Sequence, residues 1–228
     1  MTSSLLTEAE LPAQMLASPV KRPIQQVASE QIEVLGEVLQ DQINLAVWQR
    51  TLPAQIADFA TLLLAQDQSL AQSTTLELPG PDSTPNLHGL VERYSDLPGQ
   101  AAFLADVSWL ISAFAFLFDA KRIGVRLRVL DKAMCPRFHV DHVPVRLITS
   151  YAGVGSQWLR EGVMARDLLG DPTAEPQNEA LIECAQTGHV LLAKGEKWIG
   201  NEGCGLIHRS PQPDLGMPRL LLTLDWLA

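Results

Sequence analysis

The chain has 228 residues, 46% of them apolar and 19% charged, which is enough to bury a core and excludes a wholly disordered polymer. Lys plus Arg is 17 against 26 for Asp plus Glu; the net charge of −9 argues against a nucleic-acid coat or a membrane-surface protein and leaves small molecules or proteins as partners. Three cysteines, Cys135, Cys184 and Cys204, make no disulfide framework, and MTSSLLTEAE lacks the basic-then-apolar pattern of a leader, so the expected setting is the reducing cytoplasm.

Residues 1–24, with Pro12, Pro19 and Pro23, read as a mobile arm. From Ser29 to Arg50, apolar residues such as Ile32, Leu35, Val38, Leu39, Ile43 and Trp48 recur near a period of 3.6 behind a plausible Ser29 cap, and predict a helix. Pro53 is suited to opening a second helix, to about Gln72. Pro79–Gly89 is a loop by composition, and a third helix is expected from about Gly99 to Phe118. Its apolar window contains Asp106, so it reads as a buried helix and not a membrane span. Residues 25–120 are thus expected to form a helical support layer.

After Lys121 the texture becomes β. Val125–Leu130, Phe138–Asp141, Val145–Tyr151, His189–Ala193, Leu206–His208 and Leu220–Trp226 are short runs rich in branched and apolar residues, punctuated by Gly and Pro. Such a series suggests a sandwich, jelly roll or small barrel over residues 121–228, an α+β fold in which 25–228 make one structural domain.

His139 and Asp141 are two apart, so on a strand both side chains meet one face. His208, on a later predicted strand, is the best third partner. Two histidines and one carboxylate on one side of a metal leave adjacent positions open, the facial arrangement of non-haem Fe(II) oxygenases. A His-x-Asp pair alone is common and can be a structural hydrogen bond. Arg219, in the strand after His208, adds a bidentate carboxylate ligand, and shares its strand parity with Thr223. Tyr151 offers a phenol to the same carboxylate.

Plainer roles stand beside these. Arg146 is either a pocket residue or a buried ion-pair partner. His142 has the opposite parity to His139 and should point away. Cys135 and Cys204 each precede a candidate ligand by four residues; if both approached the metal, zinc would be favoured over iron. Gly153-Val-Gly155 lacks the helix that follows a dinucleotide loop and reads as a turn.

The order His139-x-Asp141, Arg146-x-x-Thr149-x-Tyr151, His208, Arg219 resembles the iron- and 2-oxoglutarate-dependent dioxygenases, and is most similar to their prolyl-hydroxylase and phytanoyl-hydroxylase branches, over roughly 125–226. The resemblance implies a double-stranded β-helix (jelly roll) with Fe(II) on His139, Asp141 and His208. It also implies 2-oxoglutarate as co-substrate, gripped by Arg219 and Tyr151 with Arg146 and Thr223 in the same pocket. The reaction would be hydroxylation of a small-molecule or protein substrate. The longer string from Cys135 to Trp158, with His208-Arg-Ser-Pro211, is similar to an uncharacterised bacterial family, some of whose members are encoded beside zinc-homeostasis genes. That similarity implies an alternative, a non-catalytic metal-binding or sensing protein of the same fold. Two features depart from the dioxygenase pattern: Gly153-Val-Gly155-Ser-Gln-Trp158 replaces a Gly-rich acidic segment, and Glu161–Asn178 is a polar insertion. This insertion and the Pro79–Gly89 loop are expected at the pocket mouth.

Overall fold

Beyond Lys121 the strands are shared between two sheets. The computed structural model describes residues 23–66, 69–80 and 83–227. Strands β4 (Arg122–Leu130), β5 (Val145–Ala152), β8 (Val190–Lys194) and β10 (Arg219–Trp226) pair antiparallel in the order β4-β10-β5-β8. A smaller sheet pairs β7 (Ile182–Cys184), β6 (Gln157–Leu159) and β9 (His208–Arg209) in that order, and a bridge from His208 to His139 adds a fourth member. Along the chain from β4 to β10, four members go to each sheet in alternation except that β6 and β7 follow one another in the small one, which makes a double-stranded β-helix.

The large sheet is extended on both sides. β1 (Gln25–Ser29) runs parallel to β2 (Ile43–Trp48), which pairs with β8, and β3 (Ala71–Glu77) pairs with β4 at the other edge. Helices α1 (Ala54–Gln66) and α2 (Gln100–Phe118) cover the face of this sheet that turns away from the small one. Strand alternation sorts the side chains. On β10, Leu220, Leu222 and Leu224 join the core under the helices, whereas Leu221 packs between the sheets and Arg219 reaches Ser210 beyond β9.

The N-terminal half differs from the all-helical expectation. Ser29–Arg50 is not one helix. It is the end of β1, a 3₁₀ segment Ile32–Leu39, and β2. β2 is buried on both faces, with Ala46 toward the helices and Leu45 and Val47 between the sheets. A strand covered on both faces shows no polar alternation, so its apolar run can be read with a helical period. The second helix forms, with the Pro53 carbonyl accepting from the amides of Ile56 and Ala57, but it ends at Gln66 and β3 takes up the following residues. Segment 25–120 therefore supplies three strands as well as two helices. The arm expected over 1–24 lies, except for its last two residues, outside the described residues.

The third helix forms as expected. Phe103, Val107, Leu110, Ile111, Phe114 and Phe118 make its buried stripe. α2 is long and apolar enough to cross a membrane, and here that stripe packs on the sheet. Asp106 anchors it: Arg50 donates to both carboxylate oxygens at 2.6 and 2.9 Å, and the Tyr151 hydroxyl donates to one of them at 2.6 Å.

Candidate metal centre

His139 is positioned by its neighbours on both sides of the chain. Phe138 is fully buried and packs with Leu159, Met164 and Ile207 on the outer face of the small sheet. Alternation then turns His139 inward, and its backbone exchanges two hydrogen bonds with His208, at 3.0 and 2.9 Å. Glu175, inside the polar insertion, accepts from the Phe138 amide at 3.2 Å and from Arg209 at 3.0 Å. The Glu161–Asn178 insertion packs on the back of the small sheet through Met164, Leu169, Ala174 and Glu175. The Pro79–Gly89 loop likewise meets β3 and the helical core: Gly89 accepts from Gln72, and Leu87 packs in that core.

Asp141 follows His139 onto the same side. Its carbonyl accepts from the Glu196 amide at 2.9 Å, and Gly195 crosses directly over it. A Cβ at Gly195 would collide with the carbonyl oxygens of Asp141 and Val143, so this crossing requires glycine.

The three side chains converge. His208 Nε2 lies 3.3 Å from Asp141 Oδ2 and His139 Nε2 lies 3.8 Å from Asp141 Oδ1. One ligand atom from each residue lies within 4.8 Å of the others, and no cysteine joins the group. Each imidazole donates its Nδ1–H to a backbone carbonyl, His139 to Arg137 at 2.9 Å and His208 to Leu206 at 3.1 Å. A carbonyl can only accept, so Nδ1 carries a proton, and each ring in its neutral form presents the Nε2 lone pair on the side of Asp141. That is the arrangement that orients histidine for a metal. Burial, and then the neighbouring His208, hold the His139 pKa below the ordinary imidazole value. Burial pushes Asp141 upward, but His208, when its ring carries a second proton on Nε2, and Arg146 outweigh it and hold the carboxyl well below the usual range; a bound cation would take the place of that second proton. The set is suited to a divalent cation with one anionic and two neutral ligands.

The flanking residues divide. Arg146 bonds Asp141 at 2.7 Å and Asp225 at 2.6 Å, so it lies beside the triad and is also ion-paired. Thr223 lines a cavity with Arg146. Arg219 is fully buried between the sheets and donates to the hydroxyls of Ser210, Ser150 and Ser156 at 2.8, 3.2 and 3.3 Å. Its Nε has no partner, and burial lowers its pKa to about 10.

Tyr151 does not belong to this group. It is five residues from Arg146, an odd spacing, so β5 turns it to the opposite face. There it packs on Phe103, with ring centroids 4.7 Å apart, and donates to Asp106. Burial and the Asp106 charge raise its pKa well above the ordinary phenol value. His142 is exposed, as its parity predicts. Arg126, Arg128, Asp225 and Glu175 were not singled out by the sequence. For the two arginines the signal is their alternation with apolar residues along β4.

Fold and site together define a double-stranded β-helix with a His-x-Asp…His set able to hold a metal. Over residues 29–225 the sequence matches the family described as "Protein of unknown function (DUF1826)", and the chain belongs to that family. No curated protein matches it significantly. Among solved structures it is similar to a Pseudomonas putida prolyl-4-hydroxylase, at 12% identity and a TM-score of 0.45, covering 85% of this chain and 96% of that one. It is also similar to dioxygenase for auxin oxidation 1 of Arabidopsis thaliana in complex with 2-oxoglutarate, at 10% identity and a TM-score of 0.46, covering 90% and 92%.

Proposed function

We propose that the protein is a non-haem Fe(II)- and 2-oxoglutarate-dependent oxygenase that hydroxylates a C–H bond, with His139, Asp141 and His208 as the iron ligands. The observation that carries this reading is the pairing of two Nε2 atoms and a carboxylate with a buried arginine that has only hydroxyl partners. A buried guanidinium without an anion is costly by several kcal/mol, and a carboxylate bound between Arg219 and its serines would offset that cost. Arg219 is accordingly the residue for the distal carboxylate of 2-oxoglutarate. Tyr151 has no part in that grip. Arg146 holds Asp141 ionised and in register from outside the ligand set, and Thr223 walls the adjoining space.

Bound Fe(II) would supply the oxygen chemistry, coupling oxidative decarboxylation of 2-oxoglutarate to oxygen insertion into the substrate. The chain's own contribution is to fix two histidine tautomers through backbone carbonyls, keep Asp141 anionic, and enclose the site between two sheets. The described cysteines are all free, which fits a cytoplasmic setting that would also keep iron reduced.

His139→Ala is expected to abolish metal binding, measured by elemental analysis, while wild-type protein reconstituted with Fe(II) converts 2-oxoglutarate to succinate. Failure of the metal-loaded protein to bind 2-oxoglutarate would overturn the assignment. Elemental analysis of protein purified without added metal separates iron from zinc.

A further inference from the structure

Beside the triad lies a cavity of about 290 Å³ lined by Arg126, Arg128, Met134, Arg146, Leu221 and Thr223. Three guanidinium groups line it, and two of them are already engaged. Arg126 pairs with Asp225. Arg146 pairs with Asp225 and Asp141. Arg128 makes no ion pair among the described residues. Its Nη1 meets only the Met134 sulfur, at 3.4 Å, and its Nε is buried with no partner. The local formal charge is +3 − 2 = +1 from these arginines and the two aspartates, in a chain of net −9, before any metal is counted.

This vacancy in Arg128's partners is separate from that of Arg219. In the β4–β10 register Arg128 stands opposite Leu221, while Arg219 stands opposite Leu130. Arg219 directs its donors to Ser150 on β5 and to Ser156 and Ser210, away from β4. Arg219 lies on β10 and Arg128 on the neighbouring β4, each with an unpartnered Nε, and one dicarboxylate held at Arg219 leaves Arg128 unsatisfied.

We propose that the primary substrate is a small organic oxyanion, a carboxylate or a phosphate ester, whose charged group is held by Arg128 while 2-oxoglutarate is held by Arg219. The proposal rests on the oxygenase reading above and names the substrate class for the same site. Guanidinium forks match both kinds of oxyanion. The cavity is at the lower end of small-molecule pockets, which suits a compact ligand. Met134 and Leu221 give it apolar wall for a short aliphatic stem, and methionine adapts to varied shapes.

The test uses the full chain loaded with Fe(II) without oxygen, with and without saturating 2-oxoglutarate, titrated by calorimetry with hexanoate, hexyl phosphate and inorganic phosphate. Hexanoate or hexyl phosphate is expected to bind with 2-oxoglutarate still in place, and whichever binds more tightly identifies the anion. Arg128→Gln should weaken that probe at least about tenfold, the loss of a charge-assisted hydrogen bond, and Arg128→Lys should recover part of it. Arg219→Gln should weaken 2-oxoglutarate more than the probe. The proposal is overturned if no probe binds the wild type, if the probe displaces 2-oxoglutarate, or if Arg128→Gln weakens both equally. Should 2-oxoglutarate fail to bind at all, the oxygenase reading falls on its own. Titration without it then still reads Arg128: dependence on that residue supports the oxyanion site, and independence overturns it.

Discussion

Arg219 and Tyr151 are both fully buried polar side chains, yet they differ in what surrounds them. Arg219 has three neutral hydroxyls and an idle Nε. Replacing such a charge with an apolar side chain of similar length removes a desolvation cost along with the hydrogen bonds. Arg219→Met is therefore expected to leave the stability of the ligand-free protein within about 1 kcal/mol of the parent, or to raise it. The same variant should lose at least about 30-fold in 2-oxoglutarate affinity, the scale of breaking a buried charge pair. Denaturant unfolding and calorimetry check the two halves, and a loss of several kcal/mol would mark Arg219 as a structural keystone instead. Tyr151 is the converse case. Its hydroxyl completes the link from β5 to Asp106 and Arg50. Tyr151→Phe should cost about 1.5–3 kcal/mol, the value of a hydrogen bond to a charged group, and leave 2-oxoglutarate binding unaltered. A fall in co-substrate affinity with unchanged stability would reverse this assignment.

At the scale of elements, the crossing of Gly195 over the Asp141 carbonyl is where strand connections and metal geometry meet. Gly195→Ala must push the Asp141–Val143 loop outward. We expect metal affinity to fall by about 10–100-fold, the effect of disturbing a ligand's support, and the melting temperature to fall as well, since two backbone carbonyls must move. Competition against a chelator measures this; unchanged affinity would show that the loop yields without moving the carboxylate. The elements also show which signals were legible. The strands of the C-terminal half stood out because branched runs were bounded by Gly and Pro, and His139-x-Asp141 stood out because strand geometry repeats every two residues. β2 was misread because both its faces are covered. β3 was missed because its sequence is polar and only Leu76 is buried along it. β6 and β7 are too short to carry a pattern, and the run Leu206–His208 meets β9 only at His208. Within the site, ligand order is readable, whereas Arg128 looks like any solvent-facing arginine until the segment after β4 brings Met134 against it. The parity arithmetic that separates Tyr151 from Arg146 was available from the sequence.

For the whole molecule, the large sheet is a shared wall. Its helical side is a continuous apolar core, and its other side carries Arg126, Arg128, Arg146 and Arg219. An acidic chain thereby concentrates positive charge in one interior. The small sheet, by contrast, is narrow, and its outermost member is a single bridge between His139 and His208. The residues that would grip the metal are thus the same residues that fasten this margin of the fold. Occupancy of the site should then be written into backbone protection. Hydrogen–deuterium exchange at the amides of His139 and His208 is expected to slow on metal loading, while amides in β10 stay protected either way. Equal exchange with and without metal would mean that the bridge closes by itself. If it does not, the ion acts as a latch, and the segment from Leu130 to Asp141 becomes a door that swings with the metal supply.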